Sequence, residues 1–243
     1  MTTIPGIDVS GIGQGPDFDW AGWRGRIDFA FAKATEGLTF RDSTWPRNRS
    51  MMHALGIVAG GYHYFHPELD AVKQAEWFLS YATPEAGELM MVDVEINGGL
   101  TSAKVSATVG AYVDKLHAET GAWPVAYTDK SLAISGALAG AAACPAFIAN
   151  PDREALPAPI GPWRLVSFEQ TGQRGVDSDV FFGDVTQLRR LGVPAARPVA
   201  APAPVPVIEL AGLDLSRGVP TSASSLPVIW LRSVDGGKTF TRS

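Results

Sequence analysis

Short apolar runs recur along the first part of the chain, and most are separated by stretches in which apolar residues repeat near a 3.6 period. The strand-like runs are "PGIDVS" (5–10), "DFAFAKAT" (28–35), "IVAGGYHYF" (57–65), "ELMMVDVEI" (88–96), "PVAYT" (124–128), "PAFIAN" (145–150) and "WRLVSF" (163–168). Between them, "DAVKQAEWFLSYA" (70–82) and "SAKVSATVGAYVDKLHAET" (102–120) carry the helical period, with Ser102, after Thr101, as an N-cap. "DKSLAISGALAG" (129–140) reads as a shorter helix. Strands alternating with helices imply parallel βαβ units. Seven or eight of them predict a TIM-like α/β barrel. Helical signal thins after residue 140, where "PAFIAN" and "WRLVSF" are joined by a Pro-rich loop. The last strands should therefore lack full crossover helices.

The pattern changes at residue 194. "PAARPVAAPAPVP" (194–206) holds five prolines and five alanines, the composition of a semi-rigid extended linker. The expected organisation is a barrel over 1–193, a linker over 194–206 and a small segment over 207–243. "VIWLRSVDGGKTFTRS" is two alternating runs around "DGG", a hairpin signal. Its "SVDGGKTF" (233–240) resembles the Asp-box hairpin, S-x-D-x-G-x-T-W, with Phe240 in the last place. Such boxes use the aspartate to hold a turn, so Asp235 is given no catalytic role. Self-association, docking to a larger particle and wall anchoring are the roles open to a segment this short, and its length favours association.

Composition narrows the classes. The chain is 46% hydrophobic and 19% charged, with a net charge of −5 and a pI near 5.4, so no basic footprint points to nucleic acid. No apolar stretch is long enough for a membrane span. "MTTIPGIDVS" has neither the basic start nor the apolar core of a secretory signal, which predicts synthesis in a cytoplasm without export by that route. The single cysteine, Cys144 in "AAACPAF", reads as a small buried hydrophobe.

Candidate chemistry lies in "MMVDVEING" (90–98), where Asp93 and Glu95 flank Val94 in an apolar run. Residues i and i+2 of a strand face the same way. In a parallel barrel the end of a strand is where active sites collect, so this pair should point into the barrel mouth. Asp8 ends the first strand in "GIDVS" and Glu36 follows the second in "AKATEG". "GGYHYF" closes the third with Tyr62, His63 and Tyr64, and Asp177 and Asp179 come after the seventh in "GVDSDVF". Carboxylates with aromatic neighbours suit a carbohydrate site, where rings stack on sugar faces and acids move protons. His63 and His66 are three apart, which on a strand puts them on opposite faces, and no third ligand of fitting spacing follows. Neither a metal nor a cofactor is expected. Trp20 and Trp23 in "FDWAGW" are three apart at a helix start, with Trp20 assigned to the core.

In order along the chain, "DVSGIGQG", "FAKATEG", "GGYHYF" and "VDVE" resemble family 25 of the glycoside hydrolases, the Chalaropsis-type lysozymes, over roughly residues 5–192. The resemblance implies an eight-stranded β/α barrel with helices missing near its end. It also implies cleavage of the β-1,4 bond between N-acetylmuramic acid and N-acetylglucosamine in peptidoglycan glycan strands. Carried over by position, Glu95 is the expected general acid and Asp93 its partner, with Asp8 and Asp177 as further active-site carboxylates. Glu36, Tyr62, Tyr64, Tyr127 and Gln170 are the expected substrate contacts. The expected course is retention, the substrate's 2-acetamido oxygen attacking the anomeric carbon while Asp93 orients it. The family's Trp-Gln-Tyr run is replaced by "LVSFEQTG", with Phe168 and Gln170 as counterparts. Its Asp-x-Asn reads Asp177-Ser178-Asp179, and Phe147 stands where tryptophan is common. These departures bear on substrate subsites more than on the chemistry. A phage lysin, released through a holin or carried in a virion, is the expected setting. The alternative is a peptidoglycan-binding or virion structural protein that keeps the barrel without turnover.

Overall fold

The computed structural model describes residues 2–195, 231–233 and 240–242, except for the side chains of 173–174 and of the last two segments. The chain separates into two units, Met1–Pro198 and Val199–Ser243. In the first, the strands are β1 (Ile4–Val9), β2 (Phe29–Glu36), β3 (Phe40–Arg41), β4 (Val58–Tyr64), β5 (Leu89–Val94), β6 (Val125–Asp129), β7 (Ala146–Ala149), β8 (Phe168–Arg174) and β9 (Val176–Phe181). The helices are α1 (Trp45–Leu55), α2 (Ala71–Ala82), α3 (Ser102–Thr120), α4 (Lys130–Ile134) and α5 (Val185–Arg189). The sheet runs β1-β9-β8-β7-β6-β5-β4-β2-β3 and closes because β1 also pairs with β2, giving an eight-stranded barrel with β3 attached outside the ring. The TIM-like barrel is thus as expected, with one difference. β9 is antiparallel to both β8 and β1, whereas the other seven ring strands run parallel.

Period-2 alternation divides the strand residues between two cores. Inward positions Phe29, Phe31, Leu89, Met91, Phe147, Phe168 and Phe181 fill the barrel. Outward neighbours such as Ile7, Ala30, Ala32, Met90, Val92 and Ile148 pack under the helices. The aromatic filling needs missing side chains elsewhere in the ring. A Cβ built on Gly6 would overlap the Phe29 ring, and one on Gly60 the Phe31 ring. These two glycines leave room for the Phe29 and Phe31 rings in the barrel floor, where the two meet edge-on.

Helix ends follow local chemistry. The Asp70 side chain accepts from Lys73 N at the start of α2, and Gly121, at φ 77°, ends α3. The α3 N-cap is Thr101 rather than Ser102, which is the first helical residue. The helix expected over 129–140 shortens to α4, followed by Gly136 at φ 83° and a 3₁₀ turn at Ala139–Ala141. The strand expected over 163–168 begins only at Phe168 and runs on to Arg174. The apolar character of "WRLVSF" serves a loop instead. Trp163 is buried and its indole donates to the carbonyls of Cys144 and Ala141, while Leu165 points to solvent. Helix α1, with Pro46 near its start and Gly56 past its end, was not anticipated. Its buried residues Trp45, Asn48 and Met52 are interrupted by arginines and serine that hide the period. As expected, no helix joins β7 to β8 or β8 to β9. Among the described residues no helix is long and apolar enough to cross a membrane.

In the second unit, β10 (Leu231–Ser233) pairs antiparallel with β11 (Phe240–Arg242), with Ser233 opposite Phe240. The Asp-box turn with Asp235 and most of the Pro/Ala linker lie outside the described residues.

Replacing Gly6 by alanine forces the Phe29 ring out of its place and should cost about 1–3 kcal/mol. The expected result is a lower urea midpoint with an unchanged m-value. A midpoint equal to the parent's would show that the floor rings yield freely.

Candidate active site

One face of the barrel gathers the acids. The parallel strands end there, and β9, being antiparallel, starts there. Register sets the neighbours: Asp8 of β1 stands opposite Asp177 of β9, and Gly6 opposite Asp179. Asp93 of β5 lies between Tyr64 of β4 and Tyr127 of β6. Asp93 faces inward and is 6% exposed, while Glu95, one residue past the strand, is exposed at the rim. The apolar strand therefore carries two same-side carboxylates at two depths. The sequence had placed Asp177 and Asp179 beyond a strand's end. They are instead inward residues of β9 itself, at successive depths.

Burial, with repulsion among the acids, makes these groups harder to ionise. Asp8 is pushed up to about 7, first by burial and then by Asp177, with Glu95 adding and the Gln170 hydrogen bond opposing. Asp93 is raised well above the usual carboxylate range by burial, then by Glu95 and Asp8. Glu95, exposed at the rim but shielded from water on its barrel side, is raised by that partial desolvation, with Lys33 opposing and Asp129 and Asp177 adding. Asp177 is raised by burial. Asp8 thus holds a proton into the neutral range, and Asp93, Glu95 and Asp177 ionise less readily than ordinary acids, the condition for a carboxyl that donates a proton.

A hydrogen-bonded chain fixes one side of the mouth. Tyr127 OH donates to Gln170 Oε1 at 3.1 Å, and Gln170 Nε2 donates to Asp8 Oδ2 at 3.0 Å, joining β6, β8 and β1. Tyr62, nearly buried, is hydrogen-bonded to Ser10. On the opposite side Lys33, 7% exposed, donates to Glu36 Oε2 at 2.5 Å and lies 4.9 Å from the Tyr64 ring centroid. His66 bridges Glu36 and Glu68, each at 3.1 Å. Glu36 is partly buried, which raises its pKa, but its bonds to Lys33 and His66 bring it below the ordinary glutamate value. Tyr64 is raised to about 12, by burial and then by Glu95 and Asp93.

The structure thus brings Asp8, Asp93, Glu95 and Asp177 together, with Tyr62, Tyr127 and Gln170 lining the same mouth and Glu36 and Tyr64 on its rim. Phe147 and Phe168 are fully buried, their centroids 5.4 Å apart in the floor, and present no surface to a sugar. His63 is buried away from the mouth, bonded to Thr35 and Gln74 and stacked on Tyr112. Trp20 is core, donating to Asn48 Oδ1 at 3.0 Å, and Trp23 packs partly buried beside it. Sequence reasoning missed Lys33. Its signal was a lysine at an inward position of the otherwise apolar "FAFAKAT". Asp129, which adds to the field on Glu95, had passed as the start of a helix, and its side chain does cap α4.

Comparison with known proteins follows this geometry. The family model described as glycosyl hydrolases family 25 matches residues 7–158. A curated relative, N,O-diacetylmuramidase of Arthroderma benhamiae, is 29% identical over 203 residues, covering 77% of this chain and 86% of its own. The N,O-diacetylmuramidase of Chalaropsis sp is 31% identical, covering 53% of this chain and 67% of its own. Among solved structures, a family GH25 lysozyme from Aspergillus fumigatus is similar with a TM-score of 0.69 and 28% identity, over 79% of this chain and 99% of that one.

Lys33 is the cation that opposes the rise of both Asp93 and Glu95. In Lys33→Met both carboxyls should titrate higher, by on the order of one pH unit, in carbon-detected NMR of the side-chain carboxyls. Unmoved titrations would remove Lys33 from the electrostatics of the site.

Proposed function

The chain belongs to family 25 of the glycosyl hydrolases, and we propose that it is an N-acetylmuramidase acting on peptidoglycan. On this reading it cleaves the β-1,4 bond between N-acetylmuramic acid and N-acetylglucosamine. The observation that carries the proposal is the Asp93–Glu95 pair at the barrel mouth, one carboxyl buried and one at the rim, both holding protons longer than ordinary acids. Membership of a hydrolase family displaces the alternative of a barrel without turnover. The names of the muramidase relatives support the choice of substrate.

The roles follow from position. Glu95, at the rim, can reach a bound glycan and protonates the departing glycosidic oxygen. As that bond breaks, the carbonyl oxygen of the muramic acid's own 2-acetamido group bonds to the anomeric carbon from the other face. In the reacting form the pair shares one proton, carried by Glu95, so that Asp93, held inward beside it, is the carboxylate that accepts a hydrogen bond from the acetamido N–H and steadies the positive charge of the cyclic intermediate. Glu95, now a carboxylate, takes a proton from water as the water's oxygen bonds to the anomeric carbon and the acetamido oxygen leaves. Two displacements return the original configuration. Asp177, and Asp8 when it is ionised, fixed by Gln170 and Tyr127, supply negative potential that favours an oxocarbenium-like transition state. Tyr62, Tyr64, Glu36 and Gln170 are the proposed contacts to the sugars. Lysis of a bacterial wall on behalf of a phage is proposed as the setting.

Glu95→Gln keeps the shape and removes the acid, so release of reducing ends from purified peptidoglycan should fall about 10²–10⁴-fold. After borohydride reduction, mass spectrometry should find reduced muramic-acid ends for the parent protein, and proton NMR should find the β-anomer formed first. Reduced glucosamine ends would refute the assigned bond, and a first-formed α-anomer would refute retention. A protein that cleaves isolated walls yet leaves permeabilised bacteria intact would refute the lytic role.

A further inference from the structure

Asp179 lies one layer beneath the mouth, and the reaction proposed above makes no use of it. It faces the barrel interior two residues on from Asp177, and it stands opposite Gly6 of β1 and Gln170 of β8. Gly6 offers no side chain, and the room beside it is taken by the Phe29 ring. Asp179 is 2% exposed, and neither of its carboxyl oxygens has a hydrogen-bond partner. Among the described residues the charged groups that face it are both acids, Asp8 from β1 and Asp177 from its own strand. β8 presents the uncharged amide of Gln170, and the layer below is the aromatic floor of Phe29, Phe168 and Phe181. Lys33, the cation that acts on Asp93 and Glu95, is engaged with Glu36. A carboxylate at this point would lie beside two other acids in an apolar recess with, among the described residues, no donor and no counter-ion, the least favourable form a buried acid can take. A neutral acid there has an O–H to give, and the groups above it are acceptors.

We propose that Asp179 is a positioning residue that works as a neutral carboxylic acid, its O–H supporting the Asp8–Asp177 pair from below. Burial, then Asp8 and then Asp177, all favour its protonated form. The role deepens the reading of the site given above and rests on it. Asp8 is then held from two directions, by Gln170 Nε2 from the side and by Asp179 from beneath. Asp8 and Asp177 then keep a fixed arrangement under the sugar even when both are ionised and repel each other.

The test is a pair of variants in the full chain, Asp179→Asn and Asp179→Leu. An unfolded chain releases the Asp179 proton near pH 4 while the folded protein keeps it. The wild-type residue therefore weakens the fold increasingly as pH rises above about 4. Asparagine removes that penalty, so its gain in Tm over wild type should be larger at pH 7.5 than at pH 4, by about 3 °C or more. Equal differences at the two pH values, or a loss at pH 7.5, overturn the neutral acid. On peptidoglycan, Asp179→Leu should lower kcat about tenfold or more, with little change in KM, and Asp179→Asn, which keeps a neutral donor, should recover most of that loss. Equal losses in the two variants overturn the positioning role. Should the leucine chain not fold, a large kcat loss in the asparagine variant alone does so. A wild type that releases no reducing ends overturns the function proposed above, and the positioning role with it. The thermal comparison decides the protonation state independently of that result.

Discussion

Taking carboxyl groups out of water is the constraint on which this site depends. Burial is the leading cause of the upward shift at Asp8, Asp93, Glu95, Asp177 and Asp179 alike, and repulsion among the acids comes second at Asp8, Asp93 and Asp179. A folded state that keeps protons longer than the unfolded chain loses stability as pH rises. For Asp8 that loss begins near the ordinary aspartate value of 3.8 and runs to about 7. The barrel must therefore be stable enough elsewhere to carry a destabilised mouth. That is the relation expected where electrostatic strain serves function.

The rest of the fold supplies that surplus and aims it. The floor is a packed set of rings, Phe29, Phe31, Phe147, Phe168 and Phe181, with neighbouring centroids 4.8–6.2 Å apart. Each gains by burial and by edge-on or tilted ring contact. The same rings exclude water from the underside of the acids, which is what raises their titration. Stabilising floor and destabilised mouth are thus two faces of one layer. Polar anchoring is confined to the sides: Tyr127 and Gln170 hold Asp8, while Lys33 and His66 hold Glu36. Lys33 keeps the field from rising without limit, because it opposes the shifts at both Asp93 and Glu95.

Much of this was legible in the sequence because the period of the strands is simple. Alternation in "FAFAKATE" and "LMMVDV" put one set of residues inside and the other under helices, and the structure follows it. The i, i+2 spacing of Asp93 and Glu95 was enough to place them on one side of a strand end. What escaped was information not carried locally. "WRLVSF" has a strand's composition, yet its tryptophan is needed to close the outer layer, and only the tertiary partners Ala141 and Cys144 reveal that. Helix α1 was hidden because its buried face uses Asn48, a polar residue whose amide binds Thr44 and whose carbonyl accepts from Trp20. Lys33 was visible as an oddity in an apolar strand. Its meaning required knowing which carboxylates lie across the barrel.

The antiparallel strand carries the last step of the reasoning. A parallel β/α barrel places functional groups at strand ends, one or two per strand, before the chain turns away into a loop. Between β8 and β9 the chain reverses through Gly175, at φ 78°, in place of a helix. The tight reversal starts β9 at the mouth and sends it downward, so an Asp-x-Asp run can reach both the opening and the layer below it. Asp177 meets Asp8 at the top, and Asp179 lies beneath them beside the aromatic floor. The thinning of helices toward the end of the barrel, noticed first as a loss of periodicity, is therefore the topological condition for stacking carboxyls in depth. A crossover helix at this point would return the chain to the opposite face of the barrel. The final strand would then run parallel, and the same two residues, near its beginning, would lie far from the mouth.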